Sequence, residues 1–166
     1  GAAPGDLARQ ATARREERDH YSKIIPPPFL GTMPPEGDAE PGSVFKRMFG
    51  PKAGPMPKEG SGVLRGVSGS RGVATGTAKV VRSPDEFYKV QPGDILVCTS
   101  TSPTWTALFG LVGALVSDSG GVLSHTAIVA REYRLPAVVG VKYGTSTISD
   151  GQVITVDGDA GVVYTR

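Results

Sequence analysis

Two histidines occur in this chain, and one of them stands where an imidazole can act as a nucleophile. His125 follows an apolar stretch at residues 114–117 and a glycine pair, and it is expected at the start of a helix. The first N–H groups of a helix have no partner inside it, and the helix dipole is positive there, so an anion is stabilised. A neutral imidazole at this place has a free lone pair that can attack phosphorus. This position makes His125 a candidate for phosphoryl chemistry.

The neighbours of His125 suit a bound phosphoryl group. Ser124 and Thr126 supply a hydroxyl on either side, and Gly120 and Gly121 lack side chains, so that backbone or a phosphate can approach closely. A single histidine at a helix start also fits a capping or hydrogen-bonding role, and the residues alone leave both interpretations open. A hydrolase that uses Ser124 and His125 fits poorly, because no carboxylate is evidently placed to orient the imidazole.

The remaining reactive residue types carry no further chemistry. His20 lies in a charged segment, where a solvated or paired role is expected. Cys98 is the only cysteine and ends an apolar run, which is typical of a small buried side chain. It has no cysteine partner within the chain, and no cluster of cysteine and histidine predicts a metal site.

Charge and hydropathy exclude two classes of partner. The net charge is +2, with both signs interspersed and no basic stripe with interleaved aromatic residues, so nucleic-acid binding is not expected. No stretch approaches ~18 consecutive apolar residues, so no membrane span is predicted. A signal-peptide pattern is missing at the start, and a cytoplasmic location is the expectation. The chain begins Gly1-Ala2-Ala3 without Met, which suggests a processed product or an excised piece.

The composition of the 166 residues changes near residue 60 and divides the chain into three parts. Residues 1–25 are charged and favour a helix. Residues 26–60 hold nine of the 14 prolines and are predicted to be a semi-rigid linker. Residues 61–166 are predicted to be the folded domain, beginning near Val63.

Short apolar segments in the folded domain alternate with turn signals and predict an α/β fold. A strand pair or hairpin is expected at 72–81, and a helix at 103–109 that is capped by Ser102 with Pro103 at its first position. A second helix is expected at 125–133. Strands are expected at 95–98, 114–117, 137–139, 153–156 and 162–164.

The segment around His125 resembles a known family. The run GGVLSHTAIVARE at 120–132, followed by LPAVVG at 135–140, is similar to the phosphohistidine segment of the phosphoenolpyruvate-utilising enzymes. That family includes phosphoenolpyruvate synthase, pyruvate phosphate dikinase, enzyme I of the sugar phosphotransferase system and rifampicin phosphotransferase. Flanking stretches agree, namely PGDILV at 92–97, SPTW at 102–105 and VDGDAGVV at 156–163. The charged and proline-rich approach at 14–28 also looks like that of rifampicin-phosphotransferase-like proteins.

The resemblance implies a swivelling β/β/α phosphohistidine domain. His125 matches the histidine that is phosphorylated on the ring nitrogen remote from the backbone. The loop around the phosphoryl group is matched by Gly120, Gly121, Ser124 and Thr126, and Arg131 matches a motif arginine that is expected to be structural or to serve in docking. Many members have Thr where this chain has Leu123, which weakens a hydroxyl contact from that position.

The resemblance further implies a phosphotransferase component of a dikinase-type enzyme. A partner ATP-grasp domain would phosphorylate His125 from ATP, giving AMP and inorganic phosphate. Mg and ATP are expected at that partner, and no cofactor is expected in this domain. The acceptor would belong to another domain or subunit and could be pyruvate, a phenolic compound, an antibiotic or a partner protein. The alternative is a non-catalytic interaction module that keeps the fold.

Overall fold

The computed structural model describes residues 4–24 and 62–165 in two compact units. The first unit contains helix α1, Pro4–Tyr21. Its charged residues surround the helix axis, and apolar side chains such as Leu7 and Tyr21 are exposed. Asp6 and Arg9 form an ion pair at 3.6 Å. The predicted linker at 26–60 lies outside the described residues. In the described part of the chain, no helix has the length and apolar character needed to cross a bilayer.

The second unit is the folded domain, and it alternates short strands with short helices. It contains 3₁₀ turns at Pro84–Lys89 and Pro103–Trp105. The helices are α2 (Thr106–Phe109), α3 (His125–Glu132) and α4 (Gly144–Thr147). The strands are β1 (Val63–Arg65), β2 (Val67–Ser70), β3 (Val73–Val80), β4 (Ile95–Cys98), β5 (Ala114–Ser117), β6 (Ala137–Val139), β7 (Val153–Asp157) and β8 (Val162–Tyr164).

The strands form one sheet in the order β1-β8-β7-β3-β4-β5-β6-β2. The neighbours from β3 to β6 are parallel, and the remaining pairs are antiparallel. Strands β1 and β2 lie at opposite ends of this order, yet only Gly66 separates them in the chain. The sheet therefore curls until its two edges meet at Gly66. A Cβ at this position would lie 2.5 Å from the Val139 carbonyl oxygen, so only glycine fits the junction.

The curled sheet buries two apolar cores on its two faces. The inner core lies between the parallel and antiparallel halves and includes Leu64, Val97 and Ile154. The outer core lies between the parallel strands and the helices and includes Leu96, Phe109 and Leu115. Two layers of sheet covered by one layer of helices give the β/β/α arrangement. The predicted α/β fold class is confirmed.

Two local predictions differ from the structure. The hairpin at 72–81 is wrong, because β3 is one continuous strand whose partners are β7 and β4. Gly76 makes no turn there, and its missing side chain allows the Gly93 carbonyl oxygen to approach, since a Cβ would lie 2.9 Å from it. The helix at 103–109 is a 3₁₀ turn followed by α2. Ser102 is the N-cap residue but makes no capping bond, because its Oγ lies 2.9 Å from Thr104 Oγ1.

Candidate active site

The candidate site lies where the parallel strands end. Strands β4, β5 and β6 run in the same direction, so the segments that follow them meet at one edge of the sheet. This edge is the usual ligand-binding side of open α/β sheets. It brings together Thr101 after β4, the loop from Asp118 to Ser124 after β5, and Lys142 after β6. The topology thus gathers polar residues that are distant in the sequence.

His125 is the first residue of α3 and is half-buried. Ser124 is the N-cap residue, with extended backbone, and its Oγ accepts a hydrogen bond from the Ala127 amide at 3.3 Å. The Ile128 amide donates to the Ser124 carbonyl oxygen at 3.0 Å, which closes the first turn. The amides of His125 and Thr126 precede that turn and have no acceptor inside the helix. An anion beside the imidazole would therefore meet unpaired N–H groups and the positive end of the helix dipole.

A pair of hydroxyl groups fixes the imidazole from one side. The Nδ1 atom of His125 lies 2.9 Å from Thr101 Oγ1, and Thr101 Oγ1 lies 2.8 Å from Thr126 Oγ1. The Phe109 ring backs the imidazole at a centroid distance of 6.4 Å. The Nε2 atom makes no hydrogen bond to any residue within 4–24 or 62–165. The ring is thus held at Nδ1, and Nε2 is the nitrogen left for chemistry.

The direction of the hydrogen bonds in this hydroxyl pair depends on which ring nitrogen of His125 carries the proton. In the tautomer that carries the proton on Nδ1, that N–H donates to Thr101 Oγ1, and Thr101 in turn donates to Thr126 Oγ1. A neutral imidazole has one donor and one acceptor nitrogen, so this arrangement leaves a lone pair on Nε2. No carboxylate takes part, and the arrangement differs from the triad of a serine hydrolase.

Glycines let the loop before α3 pack tightly. Gly120 has a φ of +114°, and a Cβ on it would lie 2.8 Å from Ser124 Oγ. Gly140, with a φ of +70°, approaches the Gly120 carbonyl oxygen, and a Cβ there would lie 2.7 Å from it. The Ser124 amide donates to the Gly121 carbonyl oxygen at 3.0 Å. Side chains at Gly120 and Gly140 would displace the loop that carries His125.

The start of the Asp118–Ser124 loop is hydrogen-bonded to chain segments on both sides. The Asp118 carboxylate accepts hydrogen bonds from Thr145, from its amide at 3.1 Å and from its Oγ1 at 2.5 Å. Ser119 donates to the Thr99 carbonyl oxygen from its amide at 2.9 Å and from its Oγ at 2.8 Å. The loop is therefore anchored to α4 and to the segment after β4 before it reaches His125.

Two groups near this edge have shifted pKa values, the buried Cys98 thiol and the amine of the half-buried Lys142. Burial, with a smaller contribution from the Asp118 charge, raises the pKa of the Cys98 thiol to about 12, so it stays protonated at neutral pH and is a poor nucleophile. Burial lowers the pKa of Lys142 from its ordinary value of 10.5. The Lys142 Nζ atom is shielded from solvent and has no hydrogen-bond partner among the described residues.

The structure brings together every residue that the sequence singled out for the site. Gly120, Gly121 and Ser124 form the loop before the imidazole, on the path that leads into α3. Thr126 is buried, and its hydroxyl lies behind the ring, in the pair with Thr101. This placement favours an orienting role for the hydroxyl and leaves the Thr126 amide as the group that can meet an anion.

Thr101 is the residue that the sequence reasoning missed. It lies 24 positions before His125 and has no recognisable motif of its own. The available signal was its place directly after a buried strand that neighbours β5, since such positions share the ligand-binding edge. Lys142 was missed for a similar reason. Among the described residues, no group of three His, Cys, Asp or Glu side chains is arranged to hold a metal ion.

The β/β/α fold and a histidine at a helix start define a class of α/β domain that presents one imidazole at the edge of its sheet. A comparison with protein families agrees with this class. Residues 90–161 match the family described as "PEP-utilising enzyme, mobile domain". The matched segment includes the Asp118–Ser124 loop, Thr101 and the whole of α3. The predicted recognition is therefore confirmed.

Three relatives show how far the likeness extends. The uncharacterized phosphotransferase YvkC of Bacillus subtilis is 38% identical over 160 residues, which cover 96% of this chain and 19% of YvkC. The rifampicin phosphotransferase of Bacillus subtilis is 36% identical over 152 residues, or 92% of this chain and 16% of that protein. A probable phosphoenolpyruvate synthase of Archaeoglobus fulgidus is 47% identical over 106 residues, or 64% of this chain and 14% of that protein. This chain spans less than a fifth of each of these relatives.

Proposed function

We propose that this domain is a phosphoryl carrier and that Nε2 of His125 holds the phosphoryl group. The observation that supports this proposal is the asymmetry of the imidazole. Thr101 holds Nδ1 at 2.9 Å, whereas Nε2 has no partner among the described residues and lies at the start of α3. A histidine with a purely structural role in the interior would be expected to hydrogen-bond through both ring nitrogens.

The transfer step needs few groups from this domain. The Nε2 lone pair forms the N–P bond, and the P–O bond to the leaving group breaks. The Nδ1 proton stays in place and donates to Thr101 Oγ1, which stabilises the positive charge that develops on the ring. The new phosphoryl oxygens would be met by the amides of His125 and Thr126 and by the Ser124 hydroxyl.

The donor and acceptor sites belong to partners in this proposal. ATP is the donor, and an ATP-grasp domain or subunit with bound Mg would catalyse the transfer. The other products are AMP and inorganic phosphate, so two P–O bonds of ATP break and one water molecule is consumed to release the inorganic phosphate. The match to the two phosphotransferases reaches into the N-terminal residues, whereas the match to the phosphoenolpyruvate synthase covers 64% of the chain. This difference favours a small organic acceptor, such as an antibiotic, over pyruvate.

Intact-mass spectrometry at alkaline pH tests the proposal. The chain is incubated with ATP, Mg²⁺ and an ATP-grasp partner whose activity on its own carrier domain has been verified. We expect a gain of one phosphoryl group that is lost in acid and is missing in His125→Ala. Folding of the variant is checked by circular dichroism. A wild-type chain that gains no mass with an active partner would favour the interaction module instead.

A further inference from the structure

We infer that Arg131 is a positioning residue for phosphoryl transfer, because its guanidinium sets the loop that presents His125. The inference rests on the proposed function. Arg131 Nη2 donates to the Val122 carbonyl oxygen at 2.6 Å, and Nη1 donates to the Gly69 carbonyl oxygen at 2.7 Å. One side chain therefore connects the site loop to strand β2.

The geometry of α3 explains how Arg131 reaches the loop. It lies six residues after His125, which is about 9 Å along the helix axis at 1.5 Å per residue. Side chains on a helix lean toward its N-terminus, so a long side chain near the end of α3 extends back over the preceding turns. Arg131 thus returns to the Val122 carbonyl, nine residues earlier in the sequence.

The second partner of Arg131 is a carbonyl at an irregularity of the sheet. The pairing of β2 with β6 shifts register between Ser68 and Ser70, which makes Gly69 a bulge. A bulge takes the extra residue out of regular pairing, and its polar groups need other partners. The Arg131 guanidinium is the partner of the Gly69 carbonyl. A Cβ on Gly69 would lie 3.1 Å from Val139 Cγ1, so the bulge also fits closely against β6.

The restraint acts next to the reacting residue. Val122 lies two residues before the N-cap Ser124, so fixing its carbonyl fixes the peptide path into the first turn of α3. The amides that would meet the phosphoryl oxygens, and the ring itself, are then oriented before the donor arrives. A guanidinium can do this because its planar fork offers two N–H groups in fixed directions. A lysine ammonium has no such fork.

A small donor allows the inference to be tested without a protein partner. The full chain is phosphorylated by phosphoramidate, and the rate is measured for the wild type, Arg131→Met, Arg131→Lys and the control Arg134→Met. Arg134 is an exposed arginine just beyond the same helix, and no side-chain hydrogen bond or ion pair of it occurs within the described residues. We expect the maximal rate to fall about tenfold in Arg131→Met and by less in Arg131→Lys, with the donor concentration at half-maximal rate unchanged. Arg134→Met should match the wild type.

A spectroscopic measurement separates positioning from general stability. Nitrogen-15 spectra of the His125 ring are recorded well below the melting temperature of each variant. We expect the ring signals to move in Arg131→Met and to stay in place in Arg134→Met. Unchanged ring signals together with an unchanged rate in Arg131→Met would overturn the inference. If the wild-type chain takes up no phosphoryl group, the proposed function is wrong. The ring spectra then still show whether Arg131 positions the imidazole of His125.

Discussion

The parallel and antiparallel halves of the sheet are built for different tasks. Strands β4, β5 and β6 are buried along their whole length, with the inner core on one face and the helices on the other. The antiparallel strands cover the inner core with one face only. Their outer face leaves apolar side chains exposed, including Val73 at 60% and Val153 at 57%. This contrast is the usual one between parallel and antiparallel sheets.

The polar chemistry follows the same division. The segments after the parallel strands hold Thr101, the Asp118–Ser124 loop, His125 and Lys142, all at one edge. The antiparallel half ends in tight turns, and its polar side chains bond to groups within that half, as in the 2.8 Å contact between Thr75 Oγ1 and Thr155 Oγ1. The parallel half therefore positions the site, and the antiparallel half closes the core behind it.

Truncating one apolar side chain in each half of the sheet should give the largest difference in the free energy of unfolding. Leu115→Ala in β5 should lower the free energy of unfolding by about 3 kcal/mol, because it leaves a cavity in a fully buried position. Val153→Ala on the outer face of β7 should change it by no more than about 0.5 kcal/mol. Urea denaturation measures both. Equal losses would contradict the division into a buried and a half-exposed layer.

Adding one methyl group tests the tightness of the site loop. Gly120→Ala should destabilise the fold by about 2 kcal/mol, because a positive φ strains alanine and the new Cβ would clash with Ser124. Gly93→Ala is the matched control, since Gly93 also has a positive φ, of +85°, but a Cβ added there would meet nothing within 4 Å. The variants are compared by urea denaturation and by the rate of phosphoryl uptake. A Gly120→Ala variant as stable as Gly93→Ala would show that the loop can relax around the methyl group.

Removing the Thr101 hydroxyl, which bonds to Nδ1 of the imidazole, is expected to have a smaller effect. Thr101→Val should lower the rate of phosphoryl uptake about tenfold, which corresponds to about 1.4 kcal/mol for one lost hydrogen bond to the ring. Thr104→Val removes an exposed hydroxyl whose one hydrogen-bond partner among the described residues is Ser102, and it serves as the control. Both rates are measured with the same donor. If Thr101→Val reacted as fast as Thr104→Val, the Nδ1 contact would have no role in transfer.

Substitution of Lys142 should have the smallest effect on the free energy of unfolding, and this effect should depend on pH. Because burial lowers its pKa in the folded protein, the unfolded chain binds more protons between that pKa and 10.5, and stability rises with pH across this window. Lys142→Met should remove this rise and raise the free energy of unfolding at pH 7, because the shielded amine has no hydrogen-bond partner among the described residues. Urea denaturation of both proteins from pH 7 to pH 10.5 measures the difference. A parallel pH profile for the two would contradict the burial of the ammonium.

Much of the fold could be predicted from the sequence because local patterns decide it. The apolar runs at β4 and β5 and the Gly-Gly loop before His125 predicted both the strands and the start of α3. The hairpin at 72–81 was wrong because Gly76, a residue type common in turns, lies within one continuous strand. Its role is to admit the Gly93 carbonyl from another segment, and no local pattern shows this.

The site could be predicted only in the part that is continuous in sequence. His125, Ser124 and the glycines belong to one motif, whereas Thr101 and the Arg131–Gly69 contact depend on which strands become neighbours. The burial of Lys142 likewise follows from the curled sheet. Such contacts join residues whose separation in the chain carries no periodicity, so they become visible only in the folded structure.

The most direct test of the central claim is the nitrogen-15 spectrum of the His125 imidazole before and after phosphorylation. The proposed function predicts a ring whose Nδ1 carries a proton bonded to Thr101 and a phosphoryl group that appears on Nε2. Thr101→Val should shift the proton away from Nδ1 in part of the population. A wild-type ring that carries its proton on Nε2, or a phosphoryl group on Nδ1, would contradict the account.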